Sequence, residues 1–181
     1  MSGGIQKFIV QSLKYLPRGL QQKMAGPPVQ LGGRTIDPLL QITWNQAKSN
    51  PGMETLTPDQ ARLAMTMGRT LMDAPRISMA KVEDISIPTP EGAIPARVYH
   101  PKDAGENAPL LLWFHQGGFV IGDLETGDTF CSIIADRAKI KVVNVDYRLA
   151  PEHKFPAAAN DAVAAYKWAC SHANELGADP A

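Results

Sequence analysis

Leu110-Leu-Leu-Trp-Phe114, followed at once by His115-Gln-Gly-Gly-Phe119, is the stretch that decides the fold. An unbroken apolar run of this length is typical of a strand buried on both faces of a sheet. Val142-Val-Asn-Val145 is a second such run, with a helical pattern before it and another that begins at Pro156 and ends near Gly177. Strand, helix, strand and helix in this order predict an α/β fold, in which helices cover both faces of a parallel sheet.

The residues before this stretch divide into a helical part and a β-hairpin. Ile94, Ala96 and Val98 follow the two-residue period of a half-buried strand. Residues 82–87 precede it, and we expect the two segments to pair across the Thr89-Pro-Glu-Gly92 turn. The sequence therefore predicts a helical cap region over residues 1–76 and an α/β core over residues 77–181.

Three signals predict helices in the cap region. Apolar residues recur at helical spacing over residues 5–16. Asp37 is a typical residue at a helix N-terminus, and Pro38 after it is a typical first-turn proline. Thr57-Pro-Asp-Gln60 has the pattern of a capping box at the start of another helix. These helices form either a packed subdomain or a mobile lid over a pocket, and periodicity does not decide between the two. Lys7 and Lys14 alone make a thin basic face for a membrane-surface helix.

Composition excludes several classes of function. Eighteen basic residues balance eighteen acidic ones, so there is no electrostatic footprint for nucleic acid. The longest apolar run, Leu110–Phe114, is far too short to span a bilayer. The N-terminus lacks the layout of a signal peptide, and Cys131 and Cys170 suggest no disulfide framework. We therefore expect a cytoplasmic protein whose thiols are free and inert, each buried on a helix.

The segment His115-Gln-Gly-Gly-Phe119 is where chemistry is expected, because ligands of open α/β sheets bind beyond the carboxyl ends of the strands. Consecutive glycines leave backbone N–H groups unobstructed, and two such donors can hold the negative oxygen that forms when an ester carbonyl is attacked. The same five residues also fit a tight turn anchored by a buried histidine. No partner arrangement in the sequence supports His115 as a general base.

The segment resembles the hormone-sensitive-lipase-like branch of the α/β-hydrolases, whose hallmark is His-Gly-Gly-Gly after the third strand. The resemblance continues at family spacing into Asp146-Tyr-Arg-Leu-Ala-Pro-Glu152 and Phe155-Pro-Ala-Ala-Ala-Asn-Asp161. Gly-Gly-Arg-Thr-Ile-Asp-Pro-Leu-Leu-Gln, from Gly32 to Gln41, is similar to the region where that family builds its cap. The resemblance implies the first strands of an α/β-hydrolase sheet and a carboxylesterase or lipase activity on a small carboxylic ester, with no metal or organic cofactor.

The family pattern implies roles for a few residues. Gly117 and Gly118 match the glycines that donate the oxyanion-hole hydrogen bonds. His115 matches a structural histidine that ties the loop down, and Gln116 departs from the pattern by replacing the first glycine. Asp146 and Asp161 are interpreted as structural carboxylates, not as the acid of a catalytic triad.

The catalytic triad of that family is not found in this chain. No Gly-x-Ser-x-Gly elbow occurs, and in family order it belongs after Ala181, followed by the acid and the histidine. We therefore expect this chain alone to be inactive. Because the strand leading to the nucleophile adjoins Leu110–Phe114, we also expect an open apolar edge, covered by a second polypeptide or by homo-oligomerisation. The alternative is an inactive fragment that serves as a binding or assembly module. A small cofactor-binding domain is disfavoured, since no Gly-x-Gly-x-x-Gly follows a strand.

Overall fold

The computed structural model describes residue 8 and residues 11–179. By its contacts the chain divides into a unit that ends at Met72 and a unit that begins at Asp73. Within the described residues, no helix has both the length and the apolar character needed to cross a bilayer.

The first unit consists of short helices and one small hairpin. The helices are α1 (Arg18–Ala25), α2 (Pro38–Ala47) and α3 (Pro58–Met72), and the hairpin strands are β1 (Gln30–Leu31) and β2 (Arg34–Thr35). Single 3-10 turns cover Leu13–Tyr15 and Met53–Thr55. Of the helix predicted over residues 5–16, residues 5–7, 9 and 10 lie outside the described residues.

Local capping confirms two of the predicted helix starts. The Asp37 side chain accepts a hydrogen bond of 2.9 Å from the N–H of Leu39 at the start of α2. Ahead of α3, the N–H of Thr57 donates to the Gln60 side chain at 3.0 Å, and the N–H of Gln60 donates to the Thr57 hydroxyl at 3.3 Å. This reciprocal pair is the capping box that the sequence predicts.

A mixed four-stranded sheet organises the second unit. Its strands are β3 (Lys81–Thr89), β4 (Gly92–His100), β5 (Leu110–Phe114) and β6 (Lys141–Val145), arranged in the order β3-β4-β6-β5. β3 and β4 form the predicted antiparallel hairpin, with Thr89 opposite Gly92. β6 pairs antiparallel with β4 and parallel with β5. β5 and β6 are therefore the parallel pair of this sheet.

The two helices of the second unit pack on opposite faces of this sheet. Helix α4 (Leu124–Ala138) buries Cys131 and Ala135 against Tyr99 and Val142. Helix α5 (Ala157–His172) buries Ala165 in a separate cluster with other strand residues: Ile87, Ile94, Ala96, Val98, Val143 and Val145. Successive strand residues point to opposite faces, so Val142 and Val143 supply the two separate clusters. The predicted α/β layering is thus observed.

Burial differs from the sequence expectation at the outer strand. All of β5 is half-buried and not fully buried, because β5 is the last strand in the order, whereas β6 between its two neighbours is buried from Val142 to Val145. Beyond α5 the chain returns to this edge. Pro109 O accepts from Lys141 N on the β6 side, and Ala108 O accepts from Asp179 N at 3.0 Å on the other side.

Two smaller expectations are corrected by the structure. Cys170 is exposed on α5 and not buried, whereas Cys131 on α4 is buried as expected. Helical spacing does not by itself tell which face of a helix meets the sheet. Helix α5 also ends at His172, before the expected end near Gly177, and the chain continues as turns.

Candidate functional site

The loop between β5 and α4, residues 115–122, is called here the glycine loop. It follows the carboxyl end of β5, next to the carboxyl end of the parallel strand β6. Asp123 caps α4 immediately afterwards, its side chain accepting from the N–H of Thr126 at 2.9 Å. The loop therefore lies at the edge of the sheet where ligands of α/β proteins bind.

Glycine is required at position 117 by the turn of the loop. The Gly117 carbonyl oxygen accepts hydrogen bonds of 3.1 Å from the N–H groups of both Val120 and Ile121. Gly117 has a φ of 144°, and a Cβ there would lie 1.8 Å from the Ile121 carbonyl oxygen. Gly118 has a φ of 60°, a left-handed conformation, but a Cβ there would meet no atom within 4 Å. Crowding therefore excludes side chains at 117, and only backbone strain opposes them at 118.

The backbone N–H groups of these glycines are free to serve a ligand. Among the described residues, none accepts a hydrogen bond from the N–H of Gly117 or of Gly118. Both glycines line a cavity of about 380 Å³ whose other walls are formed by the rest of the loop, the end of β5, the segment after β6 and helix α5: Phe114, His115, Gln116, Phe119, Tyr147, Ala158 and Ala162. Unengaged donors beside an apolar cavity can stabilise a developing negative oxygen.

His115 is an anchor for the loop and is poorly placed to act as a base. Its side chain is fully buried, and Nδ1 lies 3.1 Å from the Gln116 carbonyl oxygen. Its ring stacks on the Tyr147 ring, with centroids 4.4 Å apart and an interplanar angle of 15°. Nε2 lies 3.7 Å from Asp146 Oδ1, beyond hydrogen-bond distance. A Cβ on Gly122 would lie 2.2 Å from Nδ1, so the ring needs glycine at that position.

Gln116, the departure from the family pattern, is exposed and contributes its main chain to the loop.

Asp161 and Arg148 form a buried brace beside the loop. Asp161 is fully buried and accepts from Arg148 three times: from the backbone N at 2.9 Å, from Nε at 3.0 Å and from Nη2 at 2.7 Å. Arg148 Nη1 also donates to Glu91 at 2.5 Å. Hydrogen bonds to Asp161 and then to Glu91 raise the pKa of Arg148. The brace ties the segment after β6 to α5 and to the β3–β4 turn.

Other polar groups of the described residues form no metal site, and the contact between Ser171 and His172 does not resemble a nucleophile paired with its base. No group of three or more His, Cys, Asp or Glu side chains in the described part of the chain is placed to hold a metal ion. Ser171 Oγ lies 2.9 Å from His172 Nδ1, but the same hydroxyl bonds to the Trp168 carbonyl oxygen and the pair is exposed at the end of α5. The glycine loop is therefore the candidate site of this unit.

Sequence reasoning missed two residues that hold this loop. The sequence alone assigns a role neither to Tyr147 nor to Gly122. The positive φ of Gly122, 110°, and its contact with His115 emerge only when the loop is folded. The triplet Asp146-Tyr-Arg148 at a strand end was the only signal that pointed to Tyr147.

Comparisons with known proteins agree with this geometry. Residues 111–181 match a family model described as the alpha/beta hydrolase fold. The chain is 39% identical to the carboxylic ester hydrolase LipN of Mycobacterium tuberculosis over 186 residues, which cover 99% of this chain and 49% of that protein. It is 46% identical to the esterase LipI of the same organism over 114 residues, which cover 60% of this chain and 36% of that protein.

Solved structures show the same relationship. The thermophilic carboxylesterase EstE1, cloned from a metagenomic library, superposes with a TM-score of 0.65 at 44% identity, covering 70% of this chain and 43% of that one. An esterase from Pyrobaculum calidifontis superposes with a TM-score of 0.63 at 41% identity, covering 70% of this chain and 42% of that one. This chain spans about half the length, or less, of the curated relatives named above. Within that span, it belongs to the hormone-sensitive-lipase-like carboxylesterase family of the α/β-hydrolase superfamily.

Proposed function

We propose that this chain supplies the oxyanion hole of a carboxylic ester hydrolase that works through an acyl-serine intermediate. The observation that carries the proposal is the pair of unengaged N–H groups on Gly117 and Gly118, which line a cavity at the carboxyl end of β5. His115 and the Gln116 main chain support the loop. The serine, acid and histidine of the triad belong to sequence outside these residues, so this chain alone is inactive.

The proposed reaction assigns the glycine loop one task. The hydroxyl oxygen of the serine attacks the ester carbonyl carbon, and its proton passes to the histidine. The carbonyl oxygen becomes an anion, which the N–H groups of Gly117 and Gly118 bind until the C–O bond to the alcohol breaks and the alcohol leaves with the proton. Water then hydrolyses the acyl-serine by the same route. Loss of one such donor typically lowers kcat about 100- to 1,000-fold.

The composition of the cavity walls favours a small substrate with an apolar acyl or alcohol group. Its walls include Phe114, Phe119 and Tyr147 together with two alanines of α5. Apolar walls with a few placed polar groups are the usual composition of small-molecule sites. A small carboxylic ester satisfies both the apolar walls and the two donors.

A fluorophosphonate probe tests the proposal on the full-length protein. We expect covalent labelling of a serine outside this chain, and loss of hydrolysis of p-nitrophenyl acetate in step with labelling. In a structure of the adduct, the phosphoryl oxygen is expected about 2.7–3.1 Å from the N atoms of Gly117 and Gly118. A phosphoryl oxygen bound by other donors would reject the assigned oxyanion hole, and an unlabelled, inactive protein would reject the hydrolase.

The second candidate function, a catalytically inactive binding or assembly module, is favoured by one observation. β5 is the last strand of the sheet, and Leu110 and Leu112 line an open cavity of about 460 Å³ with Tyr166 and Cys170 of α5. Such an edge invites pairing with another polypeptide or with a second copy. Native mass spectrometry separates the two functions: a bound polypeptide with a Gly-x-Ser-x-Gly elbow supports the hydrolase, and a homo-oligomer of this chain without esterase activity supports the module. The cytoplasmic location stays a prediction.

A further inference from the structure

We propose that Tyr147 is a positioning residue, whose hydroxyl holds the glycine loop in the conformation that aims the N–H groups of Gly117 and Gly118 at one point. This role rests on the proposed function, because a direction for the two donors matters only if they bind an oxyanion. Tyr147 itself touches no reacting atom. It acts on the peptide chain on either side of the two glycines.

The contacts of Tyr147 reach both ends of the glycine pair. Its hydroxyl donates a hydrogen bond of 2.7 Å to the carbonyl oxygen of His115, two residues before Gly117. Its ring stacks on the His115 imidazole and also meets the edge of the Phe119 ring, with centroids 6.1 Å apart. Phe119 directly follows Gly118 and has a positive φ of 64°, so this side of the loop is held in an uncommon conformation.

Tyr147 can restrain the loop because it is itself fixed. The residue is 6% exposed and is the second residue after β6, between Asp146 and the braced Arg148. Three residues further on, the N–H of Ala150 donates to the Phe119 carbonyl oxygen at 2.8 Å. The segment after β6 therefore donates hydrogen bonds to two carbonyl oxygens of the glycine loop, one before the two glycines and one after them.

The phenol is suited to remain a donor. Burial, and then the nearby Asp146 carboxylate, raise the pKa of Tyr147 above its ordinary value, so the hydroxyl keeps its proton at neutral pH. The absence of a Cβ at Gly122 leaves room for the imidazole at its Nδ1 and Cε1 atoms. A bond from a neutral hydroxyl to a carbonyl orients the loop without adding charge near the developing anion.

Tyr147→Phe isolates the hydroxyl, because phenylalanine keeps the stacked ring and loses only the hydrogen bond. In the full-length protein we expect kcat to fall about 10-fold with KM within about 2-fold, less than the roughly 100- to 1,000-fold cost of losing a donor itself. The affinity for a boronic acid that mimics the tetrahedral intermediate is expected to fall by the same factor as kcat/KM. Tyr99→Phe is the matched control, since it also removes the hydroxyl of a buried tyrosine, but that hydroxyl donates to Asp128 of α4 and not to the glycine loop.

The outcomes separate this inference from the proposed function. Active sites are counted by fluorophosphonate titration, so that kcat refers to folded enzyme. If Tyr147→Phe lowers stability while kcat and boronate affinity stay at the wild-type values, the tyrosine is only structural and the inference is wrong. An inactive wild type that does not label rejects the proposed function and this role with it. If the variant does not fold, a structure of the wild-type fluorophosphonate adduct tests the inference. The hydrogen bond from the Tyr147 hydroxyl to the His115 carbonyl oxygen must persist when the N–H groups of Gly117 and Gly118 bind the phosphoryl oxygen. A broken hydrogen bond overturns the inference.

Discussion

Replacing Asp161 by alanine removes the centre of the buried brace, and the structure sets the size of the effect. The Asp161 side chain is fully buried and accepts from the backbone N, Nε and Nη2 of Arg148. Removing one partner of a buried ion pair typically costs about 3–5 kcal/mol of unfolding free energy. Because Arg148 is 17% exposed and keeps Glu91, we expect the low end, about 3 kcal/mol. Alanine returns about 0.5 kcal/mol of helix propensity, so the net loss is about 2.5 kcal/mol.

Asp136→Ala is the matched control for this change. Asp136 is also an aspartate within a helix, α4, but it is partly exposed, and its ion pairs in the described part of the chain are with Arg137 and Lys139, at 4.0 and 3.6 Å. Exposed pairs of this kind contribute about 0–1 kcal/mol, and the gain in helix propensity is the same. Urea denaturation of the full-length protein measures both variants. A loss below about 1 kcal/mol for Asp161→Ala would refute the assignment of Asp161 as a buried brace.

The same variant also tests whether Asp161 takes part in catalysis. Disabling the acid of a serine triad lowers kcat about 10,000-fold, whereas a structural carboxylate leaves kcat per titrated active site within a few-fold of wild type. We expect the second result, because all the contacts described for Asp161 are to Arg148 and none is to a histidine. A loss of kcat on the triad scale in folded enzyme would show that the interpretation of Asp161 as structural is wrong.

Further predictions follow from the loop, the thiols and the ion pairs. Gly118→Ala should lower the unfolding free energy by about 1–2 kcal/mol, because alanine is strained in a left-handed conformation. Gly117→Ala should lower it more, because its Cβ would meet the Ile121 carbonyl oxygen. Urea denaturation measures both variants, and equal urea midpoints would contradict this order. In native protein at pH 8 a maleimide should label the exposed Cys170 and spare the buried Cys131. Burial, and then the charge of Asp128, raise the pKa of Cys131 to about 12. Peptide mapping shows which thiol reacts, and rapid labelling of Cys131 would contradict its burial. Burial alone would raise the pKa of Asp128, but hydrogen bonds from Tyr99 and Arg97 outweigh burial and leave that pKa lowered. The contribution of Asp128 to stability is therefore present above the pKa of the unfolded state and is lost as pH falls. Asp128→Asn should flatten the acid limb of a curve of unfolding free energy against pH, and an unchanged limb would contradict the lowered pKa.

Short-range patterns were enough to predict much of this fold. The hairpin follows from an alternating strand and a Pro90-Glu91 turn, and both helix caps from residues within three positions of each other. The parallel β5–β6 pair follows from two apolar runs separated by a helical pattern. Gly117 and Gly118 are singled out by their place after a strand, where glycines leave backbone N–H groups unobstructed, together with their match to the glycines of the family motif.

Other features depend on contacts between segments far apart in the chain, and only the tertiary structure decided them. Tyr147 reaches the His115 carbonyl across 32 positions, and Arg148 reaches Glu91 across 57. The exposure of Cys170 and the half-burial of β5 depend on which helix face meets the sheet and on which strand ends it. Sequence by itself determined the strands and helices, because those depend on local periodicity, and it marked two glycines as candidate oxyanion-hole donors by their match to the family motif. Packing decided how that loop is held, because a hydrogen bond between distant residues forms only after the sheet has brought their strands together.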